Sequence, residues 1–175
     1  NQPTATPDST KKEKDRSCFA FAIGDVWKDN HMEPSSVKLC HNLVSRGLYM
    51  KGKEDLFIVP ESISEDFIQY VAQKKYPNDF ESQELFKNTT IRQHLTGAKS
   101  EEFGKAFLNS KRVMDTISKE DVKYKWVPYV FGKMAYDTVE KINTTMEERE
   151  GKKPLEWSFQ KPEEMNNWGE KMVFF

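Results

Sequence analysis

Cysteine and histidine are scarce in this chain, two and three among 175 residues. A zinc centre takes four clustered nitrogen or sulfur ligands. The one such set that can be written, Cys18 and Cys40 with His31 and His41, matches no finger spacing. An excess of one charge is missing too. With 27 basic and 28 acidic side chains the formal net charge is −1, so no global field draws in nucleic acid or an anionic membrane. No stretch approaches the ~20 consecutive apolar residues of a membrane span. Glycine-rich phosphate loops, Gly-x-Ser-x-Gly, His-Glu-x-x-His and calcium-loop patterns are all lacking, and no cofactor is implied.

What is present suffices for one domain. Hydrophobic residues make up 37% and aromatic residues 13%, enough for a core despite 31% charged side chains. Residues 1–14 carry no large apolar side chain and read as a disordered leader, either one that tethers an exported domain to a membrane or precursor, or a frayed terminus. Residues 15–175 then form a single helical domain.

Helical spacing recurs through that domain. Cys18, Phe19, Ala22, Ile23, Val26 and Trp27 place an amphipathic helix over 16–30, and Val37, Cys40, Leu43 and Val44 a second one after Pro34. Asp55-Leu-Phe-Ile-Val-Pro60 is a strand or a buried extended connector. Ser64 with two acids behind it starts a helix along Phe67, Ile68, Val71 and Ala72. Residues 79–87 form a short helix, and Thr89 or Thr90 caps a further turn through Ile91 and Leu95. A helix from Ser100 carries Phe103, Ala106, Phe107 and Met114, with Gly104 placed to permit a close helix contact. The longest pattern runs from about Pro128 to Glu150, stopped by Gly151. Leu155-Glu-Trp-Ser-Phe159 and Lys171-Met-Val-Phe-Phe175 read as docking segments or edge strands. The fold class is therefore mainly α, a helical bundle with short extended segments.

Cys18 and Cys40 lie on the apolar stripes of the first two helices, and an antiparallel hairpin of these helices brings the sulfurs together as a disulfide. Two buried free thiols are the alternative. A nucleophilic role for Cys18 has a lure, because Ser17-Cys18-Phe19-Ala20-Phe21 and Asn167-Trp168-Gly169 are similar to segments of papain-like proteases. That chemistry needs a histidine base shortly before the second segment, and the last histidine here is His94.

The run Cys18-Phe-Ala-Phe-Ala-Ile-Gly24, with Cys40 some twenty residues on, resembles the opening helix of helical immunity proteins that act against type VI-secreted peptidoglycan amidases. Ser64 to Pro77 and Phe86 to Leu95 resemble that family's later helices, while residues 98–175 have no counterpart in it. The resemblance implies an exported, periplasmic or secreted, non-catalytic inhibitor with a protein partner. Candidate contact residues are Trp126, Tyr129 and Phe131 in the densest aromatic patch, with Trp157 and Trp168 nearer the end. The patch reads equally as the core end of the long helix.

Two other classes compete: a small-ligand carrier with an apolar pocket between helices, and a hydrolase using Cys18 or paired carboxylates such as those in Glu61-Ser-Ile-Ser-Glu-Asp66. Adjacent acids at helix starts are also simple dipole partners. Asn88-Thr-Thr90 and Asn143-Thr-Thr145 satisfy the acceptor rule for N-glycosylation.

Overall fold

The computed structural model describes residues 14–20, 34–95, 100–119, 122–128 and 133–159. Five strands, β1 (Lys14–Ala20), β2 (Leu56–Pro60), β3 (Thr90–Gln93), β4 (Val122–Pro128) and β5 (Leu155–Trp157), form one sheet in the order β3-β2-β1-β4-β5. All four pairings are parallel. The helices between them are α1 (Pro34–Val44), α2 (Gly47–Met50), α3 (Glu65–Lys75), α4 (Phe80–Asn88), α5 (Ser100–Asn109), α6 (Lys111–Ile117) and α7 (Lys133–Glu150).

The helical bundle expected from the sequence is thus corrected to a mixed α/β architecture. Residues 14–20, of which 16–20 were expected to open a helix, are a central strand, with Cys18 in register with Leu56 on one side and Trp126 on the other. The hairpin that was to carry a disulfide does not form. Cys40 sits on α1 as a free, buried thiol, and no Cys18–Cys40 bond exists. The expected turn after Thr90 is strand β3, and Trp126 to Pro128, the described part of the aromatic patch, ends β4. The forecasts for Ser64 and for Leu155 hold: Ser64 Oγ accepts from Phe67 N–H, and Leu155 opens an edge strand.

Alternation along the strands separates the two faces of the sheet. Arg92 of β3 reaches Glu65 on α3, while Trp126 of β4 lies 5.6 Å from Phe107 of α5, ring centre to ring centre. The registers place Arg92 with Val59 and, through Phe57 and Phe19, with Val127, so Arg92 and Trp126 point to opposite faces. Parallel crossovers are right-handed, and the order runs outward from β1 to β3 before returning to β4. The first four helices therefore cover one face and the last three the other. Strand β2, covered on both faces, is buried at all five positions.

The second layer rests on two local devices. A Cβ on Gly104 would come within 2.5 Å of Thr138 Cγ2, so only glycine lets α5 lie this close to α7. Asn143 of α7 is buried and clamps the edge strand, its Nδ2 donating to Leu155 O at 2.8 Å and its Oδ1 accepting from Leu155 N–H at 3.1 Å. With both amide atoms engaged, Asn143 is no glycan acceptor in the folded chain, whereas Asn88 is exposed.

Gly104→Ala is expected to lower stability by roughly 1–2 kcal/mol, the overpacking outweighing the gain of about 1 kcal/mol in helix propensity. Adding Thr138→Ser, which removes the clashing methyl and keeps the hydroxyl, should restore or exceed the parent's melting temperature. Urea unfolding of Asn143→Ala should show a loss of about 2–4 kcal/mol, because two buried backbone groups lose their partners together. A change below a few tenths would mean that the clamp is not needed at this edge.

Candidate ligand site at the carboxyl edge of the sheet

Two strand edges carry polar groups, and they differ in how completely those groups are used. At the amino edge, Lys51 follows α2 directly and is 0% exposed. Its Nζ donates to Phe86 O at 3.0 Å and to Thr89 Oγ1 at 2.8 Å, and lies 4.0 Å from the centre of the Phe86 ring. The lysine thereby caps the carbonyl end of α4, where the helix dipole favours a cation. Burial pushes its ammonium down to about 7; Asp55 opposes this and Lys75 adds to it.

Around this charge the amino edge is saturated. Lys75 Nζ donates to the carbonyls of Tyr49 and Lys51, each at 2.7 Å. Asp55 accepts from Gly52 N–H at 2.6 Å and from Ser17 N–H at 3.3 Å. Asp79 caps α4 through Ser82, and those two hydrogen bonds hold its carboxyl below the usual carboxylate range. These groups fasten β1, β2, α3 and α4 together, their polar atoms engaged within the chain.

The carboxyl edge is different. The strand order reverses at β1, so the chain leaves β1 and β4 toward opposite faces, the topology at which open parallel sheets form a crevice at the carboxyl ends of their strands. The connections that leave these strands, residues 21–33 and 129–132, lie outside the described residues. What is described is the flank over β2 and β3. Glu61 N–H donates to Gln93 O at 2.9 Å and closes the ladder. Arg92 Nη1 reaches Glu65 at 3.0 Å and its Nη2 donates to Glu61 O at 2.7 Å. His94 Nδ1 stands 3.2 Å from Glu61 Oε2.

This His94–Glu61 pair is the one acid–base dyad at that edge among the described residues, and no hydroxyl or thiol there hydrogen-bonds to it. It is a solvent-exposed rim, a geometry without a nucleophile. The adjoining end of α3 is already filled by Ser64 and carries Glu65 and Asp66 in its first turn, which disfavours an anion. The helices that follow the two crevice strands, α1 and α7, have no acidic residue in their first turns.

The residues singled out in the sequence scatter around this site. Trp126 is 1% exposed and lines the core beneath α5. Trp157 is half-buried on β5, 5.5 Å from Tyr136 and 5.8 Å from Phe159. Tyr129, Phe131 and Trp168 lie outside the described residues. Cys18 is on β1, and burial pushes the Cys40 thiol up, away from nucleophilic reactivity. Among the described residues no three His, Cys, Asp or Glu side chains group as metal ligands, and no helix is long and apolar enough to cross a membrane.

Sequence reasoning missed Lys51, Arg92 and the Glu61–His94 contact. The first has no signature, since a lysine after Met50 reads as solvated; the other two follow only from the parallel pairing of β2 with β3. No protein family, no curated protein and no solved structure matches this chain.

Lys51 gives the site region a pH signature whose sign follows from its lowered pKa. Below about pH 7 folded and unfolded chains both hold the proton, and the native state bears the full penalty of a buried ammonium. Between about 7 and the ordinary lysine value near 10.5 the unfolded chain is the one that binds it, so stability rises with pH across that window. Lys51→Met keeps Phe86 O and Thr89 Oγ1 paired, because Thr90 Oγ1 donates to the former at 2.8 Å and Thr89 Oγ1 lies 2.9 Å from Leu85 O. Urea unfolding at pH 6, 8 and 9.5 should show the stability difference between parent and Lys51→Met moving in the parent's favour as pH rises. A pH-independent difference would mean that the Phe86 ring and the α4 carbonyl end hold the ammonium charged throughout.

Proposed function

We propose that this chain is a binding domain for a small anionic molecule, carrying a phosphate or carboxylate, which sits in the crevice at the carboxyl ends of β1 and β4. The observation that carries the reading is the strand order β3-β2-β1-β4-β5, all parallel, with its reversal at β1. In open parallel sheets ligands lie outside the carboxyl ends of the strands at such a reversal. The fold alone does not name the ligand. Its sign is suggested by the acid-free first turns of α1 and α7, the helices that follow the two crevice strands. The small-ligand alternative raised by the sequence thus moves from a pocket between helices to the edge of a sheet.

Binding is preferred over catalysis because the hydroxyls paired with Lys51, Asp79 and Glu150 all lie at the amino edge, and at the carboxyl edge the described residues pair no nucleophile with a base. The one thiol among their described side chains is buried and raised in pKa, and the His94–Glu61 dyad is open to solvent. Specificity then rests on shape and on the polar rim of Glu61, Arg92 and His94.

Backbone amide shifts in a nitrogen–proton correlation spectrum test this directly, with AMP, NAD and uncharged adenosine as probes. AMP or NAD should shift Phe19, Ala20, Trp126, Val127 and the opening turns of α1 and α7, and adenosine should bind at least about tenfold more weakly. Shifts confined to the amino edge around Lys51 and Thr89, or none with either phosphate compound, would overturn the proposal.

A further inference from the structure

A line of aromatic rings stands at the carboxyl edge, on the α7 side of the reversal. Trp157 ends β5 in register with Trp126 of β4, two residues short of the carboxyl end of β4. Tyr136 lies in the opening turn of α7, its ring centre 5.5 Å from that of Trp157 and its plane at 85°. Phe159, two residues beyond Trp157, is 5.8 Å from it at 78°. Neighbouring strands stand about 4.8 Å apart, so this cluster begins one strand away from β4.

The rings are not used up on one another. Both contacts are edge-on, and an edge-on pair occupies one face of one of its two rings. The setting is also recessed. Tyr136, Trp157 and Phe159 are all half-buried, and Trp157 packs against the core, whereas Tyr49, Met50, Tyr70 and Phe80 on the other helical layer are 48% exposed or more. Recessed rings suit a small planar group, since a protein partner spreads over about 800 Å² on each side. The cluster carries no charge, and on the same turn of α7 Lys133 Nζ lies within 2.8 Å of both Asp137 oxygens. Position therefore selects the occupant. A molecule lying across the carboxyl ends of β1 and β4, with its anionic group at the opening turn of α7, has its remainder beside Tyr136 and Trp157.

We infer, resting on the anion binding proposed for this edge, that the ligand is a nucleoside phosphate whose base stacks on Trp157, flanked by Tyr136 and Phe159. Every base has a π face, so an aromatic platform sets the class of ligand without choosing among the bases. The phosphate is held at the helix ends and the base at the edge of the sheet, with the sugar spanning β4 between them.

Calorimetric titration of the full chain with AMP and with ribose 5-phosphate tests the inference, because the two share the phosphate and differ in the base. The parent should bind AMP about tenfold or more tightly than ribose 5-phosphate. The indole N–H of Trp157 should shift with AMP and stay in place with ribose 5-phosphate. In Trp157→Leu the ratio of the two affinities should fall to about one, and Trp157→Phe, which keeps a ring, should hold most of it. Equal affinities in the parent would overturn the stacking assignment and leave the anion-binding reading standing. Binding of neither compound would remove both. An undiminished ratio in Trp157→Leu would put the base elsewhere and overturn the role of Trp157. Should that variant fail to fold, Trp157→Phe and the indole shift of the parent decide.

Discussion

The structure depends on one strand pairing on both of its edges. Strand β1 lies between β2 and β4, and without it the sheet parts into β3-β2 and β4-β5, which belong to different helical layers. Its seams are unequal. Seven residue pairs join it to β4, whereas Cys18–Leu56 and Phe19–Phe57 are the pairs to β2. The shorter seam is lengthened by side chains: Asp55 accepts from Ser17 N–H where the ladder stops, and Arg16 lies 3.6 Å from Glu54. Asp55 also holds Gly52 and acts on Lys51, so the seam and the buried ammonium are parts of one network.

That same strand is where the sequence misleads. Cys18, Phe19, Ala22 and Ile23 recur at three and four, and a strand covered on both faces needs no alternation to contradict them. Ala20 strengthens the helical appearance, and the neighbouring strands override it. Strand β4 was legible. Val122, Tyr124 and Trp126 are buried while Lys123 and Lys125 are half-exposed, a period of two that the aromatic density around Trp126 obscured. Lys125 and Lys123 face Asp15 and Glu156 at 3.2 and 3.8 Å, a cross-strand ion pattern that alternation alone would have suggested. The helix marked by capping chemistry at Ser64 was placed well, because a cap is a local bond that tertiary context does not overrule. The candidate site was illegible for a different reason. It is defined by the order in which strands pair, and no run of residues records that order.

The disulfide expectation failed on the same point. It required two helices lying side by side, and the first of them is a strand whose residues are committed to ladders on both edges. Cys40 is left as a small apolar filler on α1, its thiol raised by burial. In the structure rigidity comes instead from buried polar contacts: Lys51 on the end of α4, Asn143 on the edge of β5, and a glycine that lets α5 and α7 close up.

These contacts are unevenly distributed, and the unevenness bears on function. At the amino edge the charged groups are spent on the chain itself: Lys51 and Lys75 on carbonyls, Asp55 and Asp79 on backbone N–H groups. A group already paired with backbone gains nothing from a ligand that must first displace that partner. At the carboxyl edge the paired groups lie over β2 and β3, and the first turns of α1 and α7, the helices that follow the strands at the reversal, carry no acid. Stability and binding thus occupy opposite ends of the same strands. Substitutions at the amino edge are therefore expected to change unfolding, and substitutions at the carboxyl edge to change ligand affinity, with little exchange between the two.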